Sequence, residues 1–120
     1  EVDEVMVHRR NLFTVNADDA MSDLLQQILS SPYTRIPVWR DDPDNIIGML
    51  HVKDFMKAVH TNEGQLQNLD ISSITSEPWF VPETISLRQQ LNAFRRQRAH
   101  VALVVDEYGT LMGLVTLEAI

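Results

Sequence analysis

The sequence predicts an α/β (α+β) fold of two β-α-β-β-α repeats packed sheet to sheet about a pseudo-twofold axis. Three observations carry that prediction: an internal duplication, a repeated alternation of helix-like and strand-like patterning, and a modest length. A chain of 120 residues with 44% hydrophobic content suits one shared core better than two independent ones. Sliding the first half along the chain until Val15 overlies Val81 also brings Met21 onto Leu87, Leu25 onto Leu91, Ile28 onto Phe94, Ile36 onto Ala102 and Val38 onto Val104. After a single-residue gap, Gly48 meets Gly113, Leu50 meets Val115, His51 meets Thr116 and Asp54 meets Ala119. The gap falls in a turn, where insertions are tolerated.

Each copy reads in the same order. A short apolar stretch, Leu12 to Val15 or Trp79 to Val81, precedes an amphipathic helix. The first helix carries Met21, Leu24, Leu25, Ile28 and Leu29 at helical spacing, the second Leu87, Leu91 and Phe94. Ser86 with Gln89 three residues on forms a capping-box pattern at the start of the second helix. Two continuous apolar strands follow, Ile36 to Trp39 and Ile46 to Leu50 in one copy, Val101 to Val105 and Leu111 to Val115 in the other, joined by acidic turns. A last helix is expected from Val52 in the first copy and from Leu117 in the second. The polar stretch Thr61 to Asp70, with Gly64, is the expected linker, and the division runs 1–62 for one repeat and 63–120 for the other. Packing the two sheets leaves clefts between the copies.

Charge narrows the function. Ten Lys and Arg stand against 17 Asp and Glu, a formal charge of -7, which argues against a nucleic-acid surface. An anionic ligand must be held by local donors. There is no cysteine, so disulfides and thiolate metal sites are excluded. No apolar run approaches the roughly 18 residues of a membrane span. The chain opens on Glu1 without a methionine and stops at Ile120 beside an incipient helix, and it reads as a piece of a longer protein.

The phrases Arg35-Ile36-Pro37-Val38, Asp44-Asn45-Ile46-Ile47-Gly48 through His51-Val52-Lys53-Asp54, Phe80-Val81-Pro82-Glu83-Thr84, and Val104-Val105-Asp106-Glu107-Tyr108-Gly109 through Gly113-Leu114-Val115-Thr116 together resemble the tandem CBS pair, or Bateman module, of CorB/CorC-type and cyclin-M-type proteins, also called haemolysin-like. Met6-Val7-His8-Arg9 resembles the family's lead-in to its first repeat, with His8 where proline is usual. The resemblance implies a module on the cytoplasmic face of the inner membrane, attached to a transmembrane domain that handles magnesium or cobalt ions. It also implies AMP or ATP bound in the clefts between repeats, with Mg2+ carried by the nucleotide, and pairing into homodimers.

The family pattern of Gly, two apolar residues, Ser or Thr, two residues and Asp falls on Gly48 to Asp54 and on Gly113 to Ala119. It implies exposed helix-start amides for phosphate, a hydroxyl at the helix start, and an aspartate that accepts from both ribose hydroxyls. Asp54 is the expected ribose ligand and His51 stands in the hydroxyl position. Thr116 keeps the hydroxyl in the second copy, where Ala119 replaces the aspartate and weakens the site. The residues leading into the central strands, Tyr33, Thr34, Arg35 and Pro37 in one copy and Ala99 and His100 in the other, are the remaining nucleotide-binding candidates. Each has a plainer role beside it: Asp54 and Thr116 as helix caps, Arg35 in a surface ion pair, His100 as a satisfied histidine.

Other chemistries find little support. His8, His51, His60 and His100 lack the spacing of the common zinc motifs, and Asp41, Asp42, Asp44 and Asn45 read as a solvated turn, so no metal site is expected. With no cysteine nucleophile, no Gly-x-Ser-x-Gly elbow and no phosphate loop, no enzyme and no catalytic residue is expected. The second reading is a dimerisation module with degenerate, empty clefts, and Ala119 is the residue that favours it.

Overall fold

The computed structural model describes residues 1–120. They gather into two compact units: Phe13–Glu77, the first unit, and Glu1–Leu12 with Pro78–Ile120, the second. The expected division at 62 and 63 follows the duplication in sequence, whereas packing takes the opening twelve residues away from the repeat they precede.

In the first unit, strand β2 (Val15–Asn16) leads to helix α1 (Met21–Ser30), strands β3 (Arg35–Arg40) and β4 (Asp42–His51), and helix α2 (Val52–Thr61). The sheet runs β2-β3-β4, parallel at the first pairing and antiparallel at the second. Helix α1 buries Leu24 and Ile28, one turn apart on its apolar face. The hairpin between β3 and β4 turns at Asp41, whose φ of 70° is a left-handed conformation that aspartate tolerates better than most residues. Only Asp41 makes that turn; Asp42, Asp44 and Asn45, expected as loop, form the exposed half of β4. The core joins Val15, Leu24, Ile28, Ile36, Val38, Leu50, Phe55 and Ile71.

The expected linker, Thr61 to Asp70, leads into core packing at Ile71. The chain after α2 is not a simple tether: it makes a turn at Leu66–Asn68, and Asp70 then caps a second turn, Ile71–Ser73, that drops Ile71 into the core. Beyond it Ser76 pairs with Met49 of β4 through two 2.9 Å backbone hydrogen bonds. That close approach requires Gly48, because a Cβ there would lie 2.6 Å from the Cβ of Thr75.

The second unit contains β1 (Val7–His8), β5 (Phe80–Pro82), α3 (Leu87–Gln97), β6 (Val101–Val105) and β7 (Leu111–Thr116), in sheet order β1-β7-β6-β5. The capping box at Ser86 and Gln89 forms as the sequence predicts, with both reciprocal hydrogen bonds. Phe94 meets Trp79 edge to face at 5.4 Å, within a core that includes Val2, Val81, Ala102, Val104 and Val115. Strand β1 lies antiparallel to β7, with Val7 opposite Leu114 and His8 opposite Gly113. Val2 is fully buried and its N–H donates to the Ile85 carbonyl. The helix expected from Leu117 is a single 3-10 turn, Leu117–Ala119.

Two carboxyl groups depart from their ordinary titration in opposite directions. Hydrogen bonds from the Ser72 hydroxyl and N–H, with Arg40 nearby, hold Asp70 below its ordinary 3.8. Desolvation, then the negative charges of Glu107, Asp106, Asp3 and Glu1, push Glu83 above its ordinary 4.5. The stability tied to Asp70 is therefore present above its ordinary value and lost as pH falls through its lowered one. Glu83 works in reverse: folding favours its protonated form, and that contribution is lost as pH rises through the raised value. Melting curves across pH should show Glu83→Gln flattening the gain on mild acidification and Asp70→Asn removing part of the acid-limb loss. A wild-type profile from both variants would refute these assignments.

Candidate functional site

The sheet end where β3 begins and β4 closes is built by short-range geometry. Arg35 lies directly opposite His51 across the β3–β4 ladder, and the Val52 N–H donates to the Thr34 carbonyl at 2.8 Å. These bonds place the start of α2 beside the start of β3. Asp54 then sits in the first turn of α2, exposed. The structure thus brings Thr34, Arg35, His51 and Asp54 to one place, with Tyr33 49% exposed just before them. Pro37 lies further along β3, opposite Met49, and both are buried.

His51 caps α2: its Nδ1 accepts from the Lys53 N–H at 3.0 Å, which leaves the ring proton on Nε2. This arrangement engages two of the helix-start amides that the sequence left open. The N–H groups of both Val52 and Lys53 already donate inside the protein, one to Thr34 and one to His51. At these two positions a phosphate would meet the side-chain cations Arg35 and Lys53 rather than free amides. Lys53 is the residue that the sequence reading missed. A lysine in a helix's first turn opposes the helix dipole, and that unfavourable placement is the signal that could have found it.

The plainer roles are filled by other residues or left unfilled. Asp54 does not cap α2, because His51 does, and it makes no ion pair. Arg35 forms no ion pair either; the side-chain arginine pair of this unit is Arg40 with Asp18, at 3.1 Å. An unpaired carboxylate and an unpaired guanidinium at one sheet end offer an acceptor for ribose hydroxyls and a fork of donors for phosphate oxygens. The donor set fits a nucleoside phosphate.

The second unit repeats the backbone plan with different side chains. Val101 lies opposite Thr116 and the Leu117 N–H donates to the His100 carbonyl at 2.9 Å, the same joints that Arg35, His51, Val52 and Thr34 make. Thr116 occupies the position before the 3-10 turn, yet its hydroxyl makes no capping bond. His100 is exposed and Ala99 half-buried. Ala99, His100 and Thr116 therefore form a group in the second unit. A cavity of about 570 Å³ at the start of α1, lined by Ala20, Met21, Ser22, Gly64, Leu66 and Gln67, includes none of the sequence-predicted residues.

The CBS domain family matches residues 2–61 and again 70–120. The chain is a tandem pair of CBS domains. Relatives at about one-third identity extend over nearly all of this CBS pair. The magnesium and cobalt efflux protein CorC of Pasteurella multocida is 34% identical over 119 residues, 99% of this chain and 39% of that protein. The CBS pair thus spans less than half of that curated relative. Among solved structures, the CBS domain of a bacterial CNNM/CorC family Mg2+ transporter in complex with ATP is 36% identical, with a TM-score of 0.88 over 98% of this chain and 82% of that one. A CBS-domain pair with bound AMP from Klebsiella pneumoniae is 35% identical, with a TM-score of 0.89 over 98% and 92%. The CBS pair is accordingly homologous to the CBS modules of CorC and CNNM proteins. No helix in it is long and apolar enough to cross a membrane.

Proposed function

We propose that this CBS pair binds an adenine nucleotide, AMP or ATP, and relays its occupancy to an attached membrane domain that moves magnesium or cobalt ions. The observation that carries the reading is the convergence of Arg35 and Asp54, both without internal partners, around the start of α2. Asp54 accepts from the ribose hydroxyls, and Arg35, aided by Lys53, faces the phosphates. Tyr33 and Thr34 frame this end, with Pro37 buried further along β3, while Ala99, His100 and Thr116 serve the second repeat. Any Mg2+ travels with ATP, whose phosphates supply most of its ligands. The module works at the cytoplasmic face of the inner membrane as a homodimer. Control of the membrane domain requires the nucleotide to bind two arrangements of the module with different affinity.

Titration of AMP, ADP and ATP, with and without magnesium, against melting temperature tests this. One nucleotide should give a saturable rise, and Asp54→Ala should weaken its binding about tenfold or more, as expected for loss of a charge-assisted acceptor. No rise at millimolar nucleotide would instead leave a dimerisation module. Ala119 favours that second reading at the second repeat, since it supplies no acceptor where Asp54 stands in the first.

A further inference from the structure

Helix α3 ends on a residue in a conformation it does not favour. Arg98 follows the helix at φ 53° and ψ 39°, in the left-handed region, while the Ala99 N–H reaches back to the Phe94 carbonyl at 3.1 Å. This closure normally takes glycine or asparagine, because a larger side chain strains the backbone there. The helix dipole does not need the charge, since Arg95 and Arg96 already stand in the last turn. Nor does the duplication impose the geometry. The first helix leaves through Ser31 with extended backbone, φ -69° and ψ 135°, and Pro32 occupies the position matching Arg98.

Two residues beyond Arg98, His100 makes the joint to Leu117, and Val101 lies opposite Thr116. This repeat has lost both charges of the first: Val101 stands where Arg35 does and Ala119 where Asp54 does. Arg98 itself is exposed and forms no ion pair. It brings an arginine back to the lead-in of β6, whose first residue lies opposite Thr116, a residue whose hydroxyl caps nothing. We propose that Arg98 is a phosphate-binding residue of the second repeat, held in a strained conformation that places its guanidinium for a nucleotide's phosphate group. The inference rests on the nucleotide reading above and adds a residue to it.

The test uses the whole chain, with ATP, AMP, adenosine and pyrophosphate as probes. Arg98→Gly should raise the melting temperature without ligand by about 3 °C, because glycine relieves the strain. The same change should weaken ATP, AMP and pyrophosphate about tenfold and leave adenosine binding unchanged. Arg98→Asn, which also tolerates the left-handed region, should repeat the loss; Arg98→Lys should retain most of the affinity. Arg96→Gln should change neither. Equal ATP binding by wild type and Arg98→Gly would overturn the assignment and leave the nucleotide reading intact. Equal loss of adenosine would overturn the phosphate role. Failure of wild type to bind any of the four probes would sink the nucleotide reading and Arg98's role together.

Discussion

Gly113→Val is expected to destabilise the protein by about 3 kcal/mol and to lower its melting temperature by about 10 °C. Gly113 sits in the buried part of β7, opposite His8 of β1. A Cβ at this position would run into the Val7 carbonyl oxygen and come within 2.9 Å of the Met6 Sδ. The methionine can move aside; the carbonyl belongs to the β1 backbone and cannot move without breaking the β1–β7 ladder. The substitution should therefore strip β1 from the sheet. Hydrogen exchange at the β1–β7 amides should rise along with the fall in melting temperature. A fall with those amides still protected would mean that the strain is relieved elsewhere. Gly48→Val should act in the same direction but less severely, because the nearest atom to its Cβ is the Thr75 hydroxyl at 2.5 Å, part of a side chain rather than a backbone carbonyl.

Both glycines were visible in the sequence, and a glycine inside an apolar strand is a sign of close backbone approach. What approaches them was not visible. Met6-Val7 precedes the first repeat but covers Gly113 of the second unit, and Thr75-Ser76 covers Gly48 of the first. A duplication orders residues along the chain and carries no information on which sheet a lead-in joins. Patterning succeeded where local physics decides: α1 buries Leu24 and Ile28 one turn apart, α3 buries Phe94 of its expected stripe, and Ser86 with Gln89 closes its box. It failed where tertiary packing decides. The polar stretch Thr61 to Asp70 was expected only as a linker, yet its last residue caps a turn that drops Ile71 into a core. At the candidate site the charged residues Arg35 and Asp54 could be picked from the sequence. The capture of the Val52 and Lys53 amides by Thr34 and His51 could not, because it depends on the ladder register between β3 and β4.

Gln90 tests the same boundary with an expected gain in stability. Leu87, Gln90, Leu91 and Phe94 occupy the apolar stripe of α3, so the sequence places an amide where a hydrophobic side chain belongs. The structure buries that amide completely, and neither its oxygen nor its nitrogen has a hydrogen-bond partner. A buried amide without partners costs about 1–3 kcal/mol in desolvation. Methionine has nearly the same length and no polar group to satisfy. Gln90→Met is therefore expected to stabilise the protein by about 2 kcal/mol and to raise the melting temperature by about 7 °C. Gln90→Glu should do the reverse, since a carboxylate there must either ionise without a partner or take up a proton to fold. Its loss of stability should grow as pH rises above the ordinary carboxylate range, a dependence that Gln90→Met must lack. If Gln90→Met instead lowers the melting temperature, the amide is engaged in the folded state and its burial is not a cost.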